Sequence, residues 1–343
     1  MSNTTSDVKR AFIEDGPLKT HIGGQALIEG VMMRGLENWS VAVRRPNGEI
    51  YREERELSSA FKSKFSKLPI VRGCYALVDS FLLGYKALSI ATDVSLEDES
   101  TVDGANEDMD AKPGSNNDKK QSVSNKIITV ISSIIGLALG IALFAVLPGI
   151  AANFLVGPYE GAIFAWNLLD GVIKMAIFVF YIWIISLIPD IKRMFGYHGA
   201  EHKTIHCYEH GLELTVENAR QFPRLHIRCG TAFMIMLMII SIFIYSLIPL
   251  ELLVAAMHID NPALSMTVLL ILRVLVLPII AGVSYEITVK WAGNRPNNPI
   301  VKIMLWPGLQ MQRLTTNNPD DGQLECAIAA AKLVLEREKK LTT

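Results

Sequence analysis

The sequence lacks an excess of charge of either sign, because 33 Lys and Arg residues face 34 Asp and Glu residues. This balance excludes proteins that hold nucleic acid by bulk electrostatics and chains kept disordered by a strongly acidic or basic composition. Cysteine is scarce: four residues are scattered along the 343, which excludes the disulfide framework of a small secreted scaffold. The first twenty residues contain no apolar stretch, so we expect no signal peptide.

Apolar residues, in contrast, make up 50% of the chain, and the mean hydropathy is +0.30. A membrane crossing needs about 20 consecutive residues that are mostly apolar. Four windows meet this requirement, at 127–147, 162–188, 231–250 and 264–287. A soluble core helix imitates one such window but hardly four. We therefore predict an α-helical multi-pass membrane protein with about four transmembrane helices.

The distribution of Lys and Arg predicts the orientation of these helices. The loops 148–161 and 251–263 contain neither residue. The loop between the second and third windows contains six of them, which are Lys192, Arg193, Lys203, Arg220, Arg224 and Arg228. Positive charge stays on the cytoplasmic side, so we predict a plasma-membrane protein with this loop and both termini in the cytoplasm.

The N-terminal region predicts a small cytoplasmic module. Residues 39–45 and 50–57 flank the turn Pro46-Asn47-Gly48-Glu49, a pattern typical of a β-hairpin. The glycine-rich block 23–35 suits a tight, buried structural turn. The alternative interpretation makes Glu29 and Arg34 in this block site residues.

Further segments complete the predicted organisation. Residues 69–91 are apolar but interrupted by charges, which favours an interfacial amphipathic helix, with a shallow re-entrant segment as the alternative. Residues 95–121 have almost no apolar side chains and predict a disordered linker. Helical spacing of apolar residues over 320–341 predicts a packing helix capped by Asp320 or Asp321. The predicted regions are a module at 1–92, a linker at 93–125, helices at 126–188, a His/Cys-rich loop at 189–230, helices at 231–292 and a C-terminal segment at 293–343.

Histidines crowd into the loop between the second and third windows, which holds five of the seven. Four follow a strict i, i+4 spacing that stacks them along one helical face: His198, His202, His206 and His210. The first pair belongs to a His-x-x-Glu-His pattern, in which the histidines bind zinc and Glu201 acts as a general base. The metal is needed because it lowers the pKa of bound water from about 16 to about 7.

A second cluster, His226-Ile227-Arg228-Cys229, offers imidazole and thiolate ligands on the same side of the membrane. His198, His202, His226 and Cys229 together would form a closed structural set, whereas three ligands and water would indicate catalysis. Glu286, near the end of the fourth window, is a further candidate ligand, because an acidic residue there needs a partner or a function.

Simpler interpretations exist for several of these polar residues. The histidine-rich helix could be a solvated face on which histidines pair with glutamates. We expect His206 and His210 to be surface residues rather than ligands. Arg273, within the fourth window, needs a counter-charge, and Asp170 is a candidate unless Lys174 already holds it.

Five blocks of the sequence together resemble the YqhQ-like family of bacterial membrane proteins, which are described as predicted metal-dependent enzymes of unknown function. They are GGQALIEGVMMRG (23–35), YHGAEHK (197–203), LTVENAR (214–220), HIRCGT (226–231) and PGLQMQRLTTNNP (307–319). The resemblance implies a multi-pass protein with a histidine-centred metal site. The family's motif positions here are His198, Glu201, His202, His226 and Cys229.

The sequence thus predicts a metal-dependent membrane enzyme, hydrolase-like, with a zinc site facing the cytoplasm. The substrate would be a peptide or a lipid-linked molecule close to the membrane. The alternative is a non-enzymatic scaffold or transport accessory protein with a structural zinc. As partners we expect membrane lipids and no nucleic acid, and we leave a homo-oligomer open.

Overall fold

The computed structural model describes most of the chain. Its described residues are 8, 10–12, 18, 20–57, 68–102, 131–132, 134–157, 163–248, 250–295 and 297–342. Residues 103–125 of the predicted linker and 127–130 of the first predicted window lie outside them. The described residues form two compact units. The first unit contains the histidine-rich segment.

A four-stranded antiparallel sheet lies near the N-terminus, with strands in the order of the chain. They are β1 (Gly23–Leu27), β2 (Gly30–Arg34), β3 (Asn38–Arg44) and β4 (Ile50–Glu56). The pairing of β3 with β4 around Gly48, whose φ is +90°, confirms the predicted hairpin. An Asn-Gly pair suits such a connection, because glycine adopts positive φ without a steric penalty.

The glycine-rich block differs from its prediction, because it forms a second hairpin rather than a buried turn. Strands β1 and β2 pair from Gly23 opposite Arg34 to Leu27 opposite Gly30. The connection contains Glu29 in the left-handed region, with φ +51°. Gly30 is required by packing: an added Cβ would lie 2.4 Å from the Ala42 carbonyl oxygen. Gly24 and Gly30 lie where the sheet and its neighbours leave no room for a side chain, and such glycines made the strand pattern hard to recognise in the sequence.

Ten helical segments follow in the described residues. They are α1 (Val71–Val102), α2 (Ile134–Val156), α3 (Ile163–Ile185), α4 (Pro189–Glu209), α5 (Val216–Arg220), α6 (Gly230–Leu247), α7 (Leu250–Ala256), α8 (Pro262–Tyr285), α9 (Pro299–Thr315) and α10 (Asp321–Thr342). Helix α8 continues as a π-helical segment, Glu286–Ala292. The short helix α5 is capped by Thr215, whose hydroxyl accepts a hydrogen bond from the Asn218 N–H at 3.2 Å.

Five of the helical stretches are long and apolar enough to cross a membrane. They are Val71–Ser95, Ile134–Val156, Phe164–Ile185, Gly230–Ala256 and Ala263–Ala292. The last four correspond to the four predicted windows. Two predicted loops are partly helical instead, because α2 continues to Val156 and α7 covers Leu250–Ala256. The first stretch covers the predicted interfacial segment, and its helix runs to Val102, into the predicted linker.

The sheet is covered by helices on both faces. On one face, the middle of α1 packs Leu83, Ala87 and Ala91 against Trp39 and Val41. The other face packs on α4 and α10 in a core that includes Val31, Tyr197 and Leu324. Helix α1 therefore differs from the other four apolar stretches, because part of its apolar surface is buried against a sheet.

Helix α10 begins at a reciprocal capping arrangement, as predicted for Asp320. The Asp320 carboxylate accepts from the Gln323 N–H at 2.8 Å, and the Gln323 amide oxygen accepts from the Asp320 N–H at 3.1 Å. Each side chain thus satisfies one backbone donor that a helix start leaves open. Leu324 and Ala331 of this helix are buried, which confirms its predicted packing role.

The second unit combines 100–181 with 242–249. An added Cβ at Gly171 of α3 would lie 2.4 Å from the Ile242 side chain. Asp170 forms an ion pair with Lys174 one turn along the same helix. In the first unit, the counter-charge of Arg273 is Glu251, at 2.6 Å. Lys174 therefore holds Asp170, which is the alternative that the sequence left open, and Glu251 supplies the counter-charge of Arg273.

Candidate metal centre

Helix α4 presents His198 and His202 on one buried face. Their imidazole centroids lie 4.5 Å apart, as expected for side chains one helical turn apart. The exposed fractions are 9% for His198 and 1% for His202. Between them, Gly199 lets the helix pass close to the loop before α10, since an added Cβ would lie 2.0 Å from the Asn317 carbonyl oxygen.

These two histidines and Cys229 form a group that could hold one metal ion. One ligand atom from each residue lies within 4.8 Å of the others. His198 Nε2 lies 3.2 Å from Cys229 Sγ. A tetrahedral zinc ion, with bonds of about 2.0–2.3 Å, holds its ligands roughly 3.3–3.8 Å apart. The group is thus close to the separation that zinc requires.

Backbone carbonyl groups orient both imidazoles. The Nδ1 atom of His198 lies 2.7 Å from the Thr315 carbonyl oxygen, and that of His202 lies 2.6 Å from the Arg224 carbonyl oxygen. Since a carbonyl only accepts, each Nδ1 carries a hydrogen, so Nε2 is the atom of each ring that can bind a metal once it has no proton. The Nε2 atom of His202 is buried and has no hydrogen-bond partner. This is how ligating histidines are commonly held.

Cys229 immediately precedes α6, where its sulfur is close to polar groups of the helix start. Thr231 Oγ1 lies 3.1 Å from Sγ, and the Thr231 N–H donates to Sγ at 3.4 Å. Burial opposes thiolate formation, yet the charges of His198 and His202 lower the pKa of Cys229 well below its usual range. Burial likewise opposes the His198 imidazolium, but the Cys229 thiolate raises the pKa of His198 to about 9. The thiolate is therefore the favoured state, which is the form that binds metals.

Glu201 lies on the same face of α4 and is 5% exposed. Its Oε2 atom has no hydrogen-bond partner. Strand β1 runs across this side chain, since an added Cβ at Gly24 would lie 2.8 Å from the Glu201 Cδ. Burial raises the pKa of Glu201, and the charges of His202 and His198 oppose this rise only in part. The carboxylate thus takes up a proton more readily than an exposed glutamate does.

His226 does not join this group in the structure. It forms a second group with His206 and Glu209, whose ligand atoms also lie within 4.8 Å of one another. The hydrogen bonding of this group is different, because His226 Nδ1 accepts from the Arg228 backbone N–H at 3.2 Å. The neutral ring therefore carries its hydrogen on Nε2, which points at Glu209 Oε2 from 3.7 Å. At this distance the two atoms form no hydrogen bond, and neither has another hydrogen-bond partner. Because the hydrogen occupies Nε2 in this tautomer, His226 is less suited than His202 to bind a metal through that atom.

Glu209 is fully buried and gathers several donors. The Arg228 guanidinium forms an ion pair with it, and the Thr20 hydroxyl donates to its Oε1 at 2.7 Å. Burial raises the pKa of Glu209, but His226, Arg228 and Thr20 outweigh that effect and lower it to about 2. The prediction that His206 is a surface residue is wrong: His206 is 1% exposed, and Leu225 offers its carbonyl oxygen at 3.0 Å.

Other candidate residues lie apart from both groups. The Glu286 carboxylate accepts from Arg72 Nε at 2.6 Å and from the Ile70 N–H at 3.2 Å, so the structure does not bring it to the histidines. Glu29 pairs with Arg193 and accepts from the Tyr197 hydroxyl at 3.1 Å. Arg34 pairs with Asp79. These contacts fasten elements of the fold together.

Gln312 is a positioning residue that the sequence did not single out. Its amide accepts from the His226 N–H and donates to the His226 carbonyl oxygen, both at 2.8 Å. Helix α9 therefore holds both the N–H and the carbonyl group of His226, the first residue of the His-x-x-Cys segment. The available signal in the sequence was a glutamine on the helix face that otherwise carries Val301, Leu305 and Leu309, where a polar side chain needs a hydrogen-bond partner.

Comparison with known proteins places the chain in a family. A relative from Bacillus subtilis (strain 168), "Uncharacterized protein YqhQ", is 30% identical over 319 residues, covering 92% of each chain. No solved structure matches the chain. A model of the family described as "Protein of unknown function (DUF1385)" matches residues 68–337. By this match the chain belongs to the DUF1385 family.

Proposed function

We propose that His198, His202 and Cys229 hold a divalent metal ion, zinc, in a membrane enzyme of hydrolase type. The observation that carries the proposal is the unpartnered Nε2 of His202, buried beside Cys229 while its Nδ1 is bound to a carbonyl. A buried polar atom without a partner costs about 1–3 kcal/mol. A metal ion would remove this cost, and a histidine–cysteine donor set suits zinc.

Glu201 is the candidate general base of this site. A zinc ion with three protein ligands keeps a position open for water and lowers its pKa to about 7. Glu201 is buried on the same helical face, with a free carboxylate oxygen and a raised pKa. It would accept a proton from the attacking water and deliver it to the leaving group. The substrate we propose is a peptide or lipid-linked molecule close to the membrane.

The placement of His226 favours a catalytic zinc with three protein ligands over a structural zinc with four. A closed set of four protein ligands would need His226 to turn its Nε2 toward Cys229. Its backbone is instead clamped by Gln312, and its Nδ1 accepts from the Arg228 N–H. A scaffold or transport accessory protein with a fully coordinated zinc is therefore the weaker proposal.

The shared core of the first unit supports four crossings with both termini in the cytoplasm. The sheet, α4 and α10 pack together, which supports a topology with the residues before α1, between α3 and α6, and after α8 on one side of the membrane. An even number of crossings must then separate the sheet from α4, and α1, α2 and α3 are three. Because α1 already packs on the sheet, we propose that it lies at the interface and that the other four apolar stretches cross. The positive charge of the α3–α6 segment supports its cytoplasmic placement.

Elemental analysis of the purified full-length protein tests the metal proposal. We expect about one zinc ion per chain in the wild type and loss of the metal in His202→Ala. His210→Ala is the matched control, because His210 caps the C-terminal end of the same helix and belongs to neither group. Wild-type protein without stoichiometric metal, or equal metal in His202→Ala, would refute the proposal.

Glu201→Gln separates a catalytic from a structural metal. If Glu201 is a base, this variant keeps its metal and loses hydrolysis of the physiological substrate. Cobalt substitution provides a readout that needs no substrate. Absorption bands that shift when azide is added indicate an open position, whereas bands insensitive to azide indicate a closed structural site.

A further inference from the structure

Helix α9 has two opposite apolar faces, and only one is covered by protein. Val301, Leu305 and Leu309 are buried in a core with Leu225 and Ile227. The opposite face exposes large apolar side chains at helical spacing, with exposed fractions of 58%, 74% and 54% for Ile300, Ile303 and Trp306. Exposed apolar side chains in a row on one face commonly mark an interaction site.

A groove of about 610 Å³ runs along this exposed face. Its walls include Phe12, Ile303 and Trp306, and its cationic residues are Lys302 and Arg313. The described lining contains no acidic side chain. The ammonium group of Lys302 lies 5.9 Å from the centroid of the Phe12 ring, at the boundary between the charged and the apolar parts. A ligand that fits both parts has an apolar tail and a negatively charged head.

The chain connects this groove directly to a membrane-crossing candidate. The apolar stretch Ala263–Ala292 ends shortly before α9 begins at Pro299. A helix this close to the end of a crossing lies near lipid headgroups, where tryptophan and lysine side chains are favoured. We propose that the groove binds one anionic phospholipid of the bilayer, with an acyl chain along Ile303 and Trp306 and the phosphate at Lys302.

Lipid bound in this groove would act on the candidate metal centre through α9 itself. The other side of this helix holds the His226 backbone through Gln312. The carbonyl oxygen of Thr315, its last residue, binds His198 Nδ1. Because the same helix carries the groove on one face and these two contacts on the other, an ordered lipid in the groove would limit motion of the histidine ligands. The lipid site itself does not depend on whether a metal is bound.

Binding of lysophosphatidylglycerol to the full-length protein in neutral detergent tests the proposal. Lysophosphatidylcholine, which has the same acyl chain, is the zwitterionic comparison, and inorganic phosphate is the headgroup without a chain. We expect Lys302→Gln to weaken lysophosphatidylglycerol binding roughly five-fold, since one cation near a membrane surface contributes about 1 kcal/mol. Trp306→Ala should weaken both lipids. Lys332→Gln, an exposed lysine of α10 outside the groove, should change neither.

Several results would overturn the proposal. Equal affinity of the wild type for the two lysolipids would show that the groove does not recognise an anionic headgroup. Binding of inorganic phosphate as tight as that of lipid would show that the acyl chain contributes nothing. A dimer that dissociates on Trp306→Ala, without lipid selectivity, would assign the face to a second copy of the chain. Trp306 is exposed and Lys302 is half-buried, and a thermal melt shared with the wild type confirms folding of each variant. Zinc content measured on the same samples separates failure of this proposal from failure of the metal proposal.

Discussion

Replacing Glu209 by glutamine tests whether its buried carboxylate holds the end of α4 to the N-terminal segment. The carboxylate binds Arg228 and Thr20, and Arg228 in turn donates to the Thr20 carbonyl oxygen at 3.0 Å. The folded pKa of about 2, against an ordinary 4.5, corresponds to about 3 kcal/mol of stability. Because the pKa is depressed, this stability is fully present above pH 4.5 and disappears as the pH falls toward 2. By pH 3 about 2 kcal/mol of it is lost.

Denaturant unfolding of the full-length protein in mild detergent, followed by tryptophan fluorescence from pH 3 to pH 7, measures this contribution. At neutral pH we expect Glu209→Gln to lose about 3–5 kcal/mol, because the Arg228 charge then lacks its partner. The variant should also lack the fall of about 2 kcal/mol below pH 4.5. Glu325→Gln is the control: Glu325 pairs with Arg44 at 2.7 Å but is 51% exposed, so at most about 1 kcal/mol is expected. A Glu209→Gln variant whose pH dependence parallels the wild type would refute the reasoning.

Three further predictions concern the candidate site. Gly24→Ala should lower the free energy of unfolding by about 1–3 kcal/mol, because its Cβ would lie 2.7 Å from a backbone oxygen, whereas Gly23→Ala, with no atom within 4 Å, should not. After chelation, peptide mapping should show iodoacetamide labelling Cys229 well before Cys207, since burial raises the pKa of Cys207 to about 11; equal rates would contradict this. Elemental analysis of Glu286→Gln should show the wild-type zinc content, because Glu286 binds Arg72 and not the histidines. Loss of zinc in this variant would show that Glu286 is a metal ligand.

Local patterns predicted the parts of the molecule that local geometry determines. The His198–His202 pair is close in space because residues four apart on a helix always are. The hairpin of β3 and β4 followed from an Asn-Gly turn between alternating residues. The capping of α10 at Asp320 likewise depends on residues three positions apart.

Tertiary contacts determined what the sequence did not predict. Cys229 and His226 are three residues apart, yet they face different groups, because the Gln312 amide and the Arg228 N–H fix the orientation of His226. Glu209 is buried as a charge only because Thr20, distant in sequence, and Arg228 meet it there. No spacing rule reports such distant partners.

Helix α1 shows that hydropathy alone does not distinguish a membrane crossing from a helix that packs on protein. Its composition alone qualifies it as a membrane crossing. Leu83, Ala87 and Ala91 are nevertheless buried against the sheet. A window average counts apolar residues without distinguishing burial in protein from burial in lipid.

The core that joins Val31, Tyr197 and Leu324 has a consequence for biosynthesis. The Ser40 hydroxyl donates at 2.7 Å to the carbonyl oxygen of Ala330, so the earliest strands need the final helix as a packing partner. Contacts between such distant segments form late and slowly. While the ribosome is still translating α10, the sheet and the histidine helix expose apolar surface that chaperones and proteases recognise. A chain truncated before α10 therefore remains a substrate for quality control, with its histidines and Cys229 unassembled.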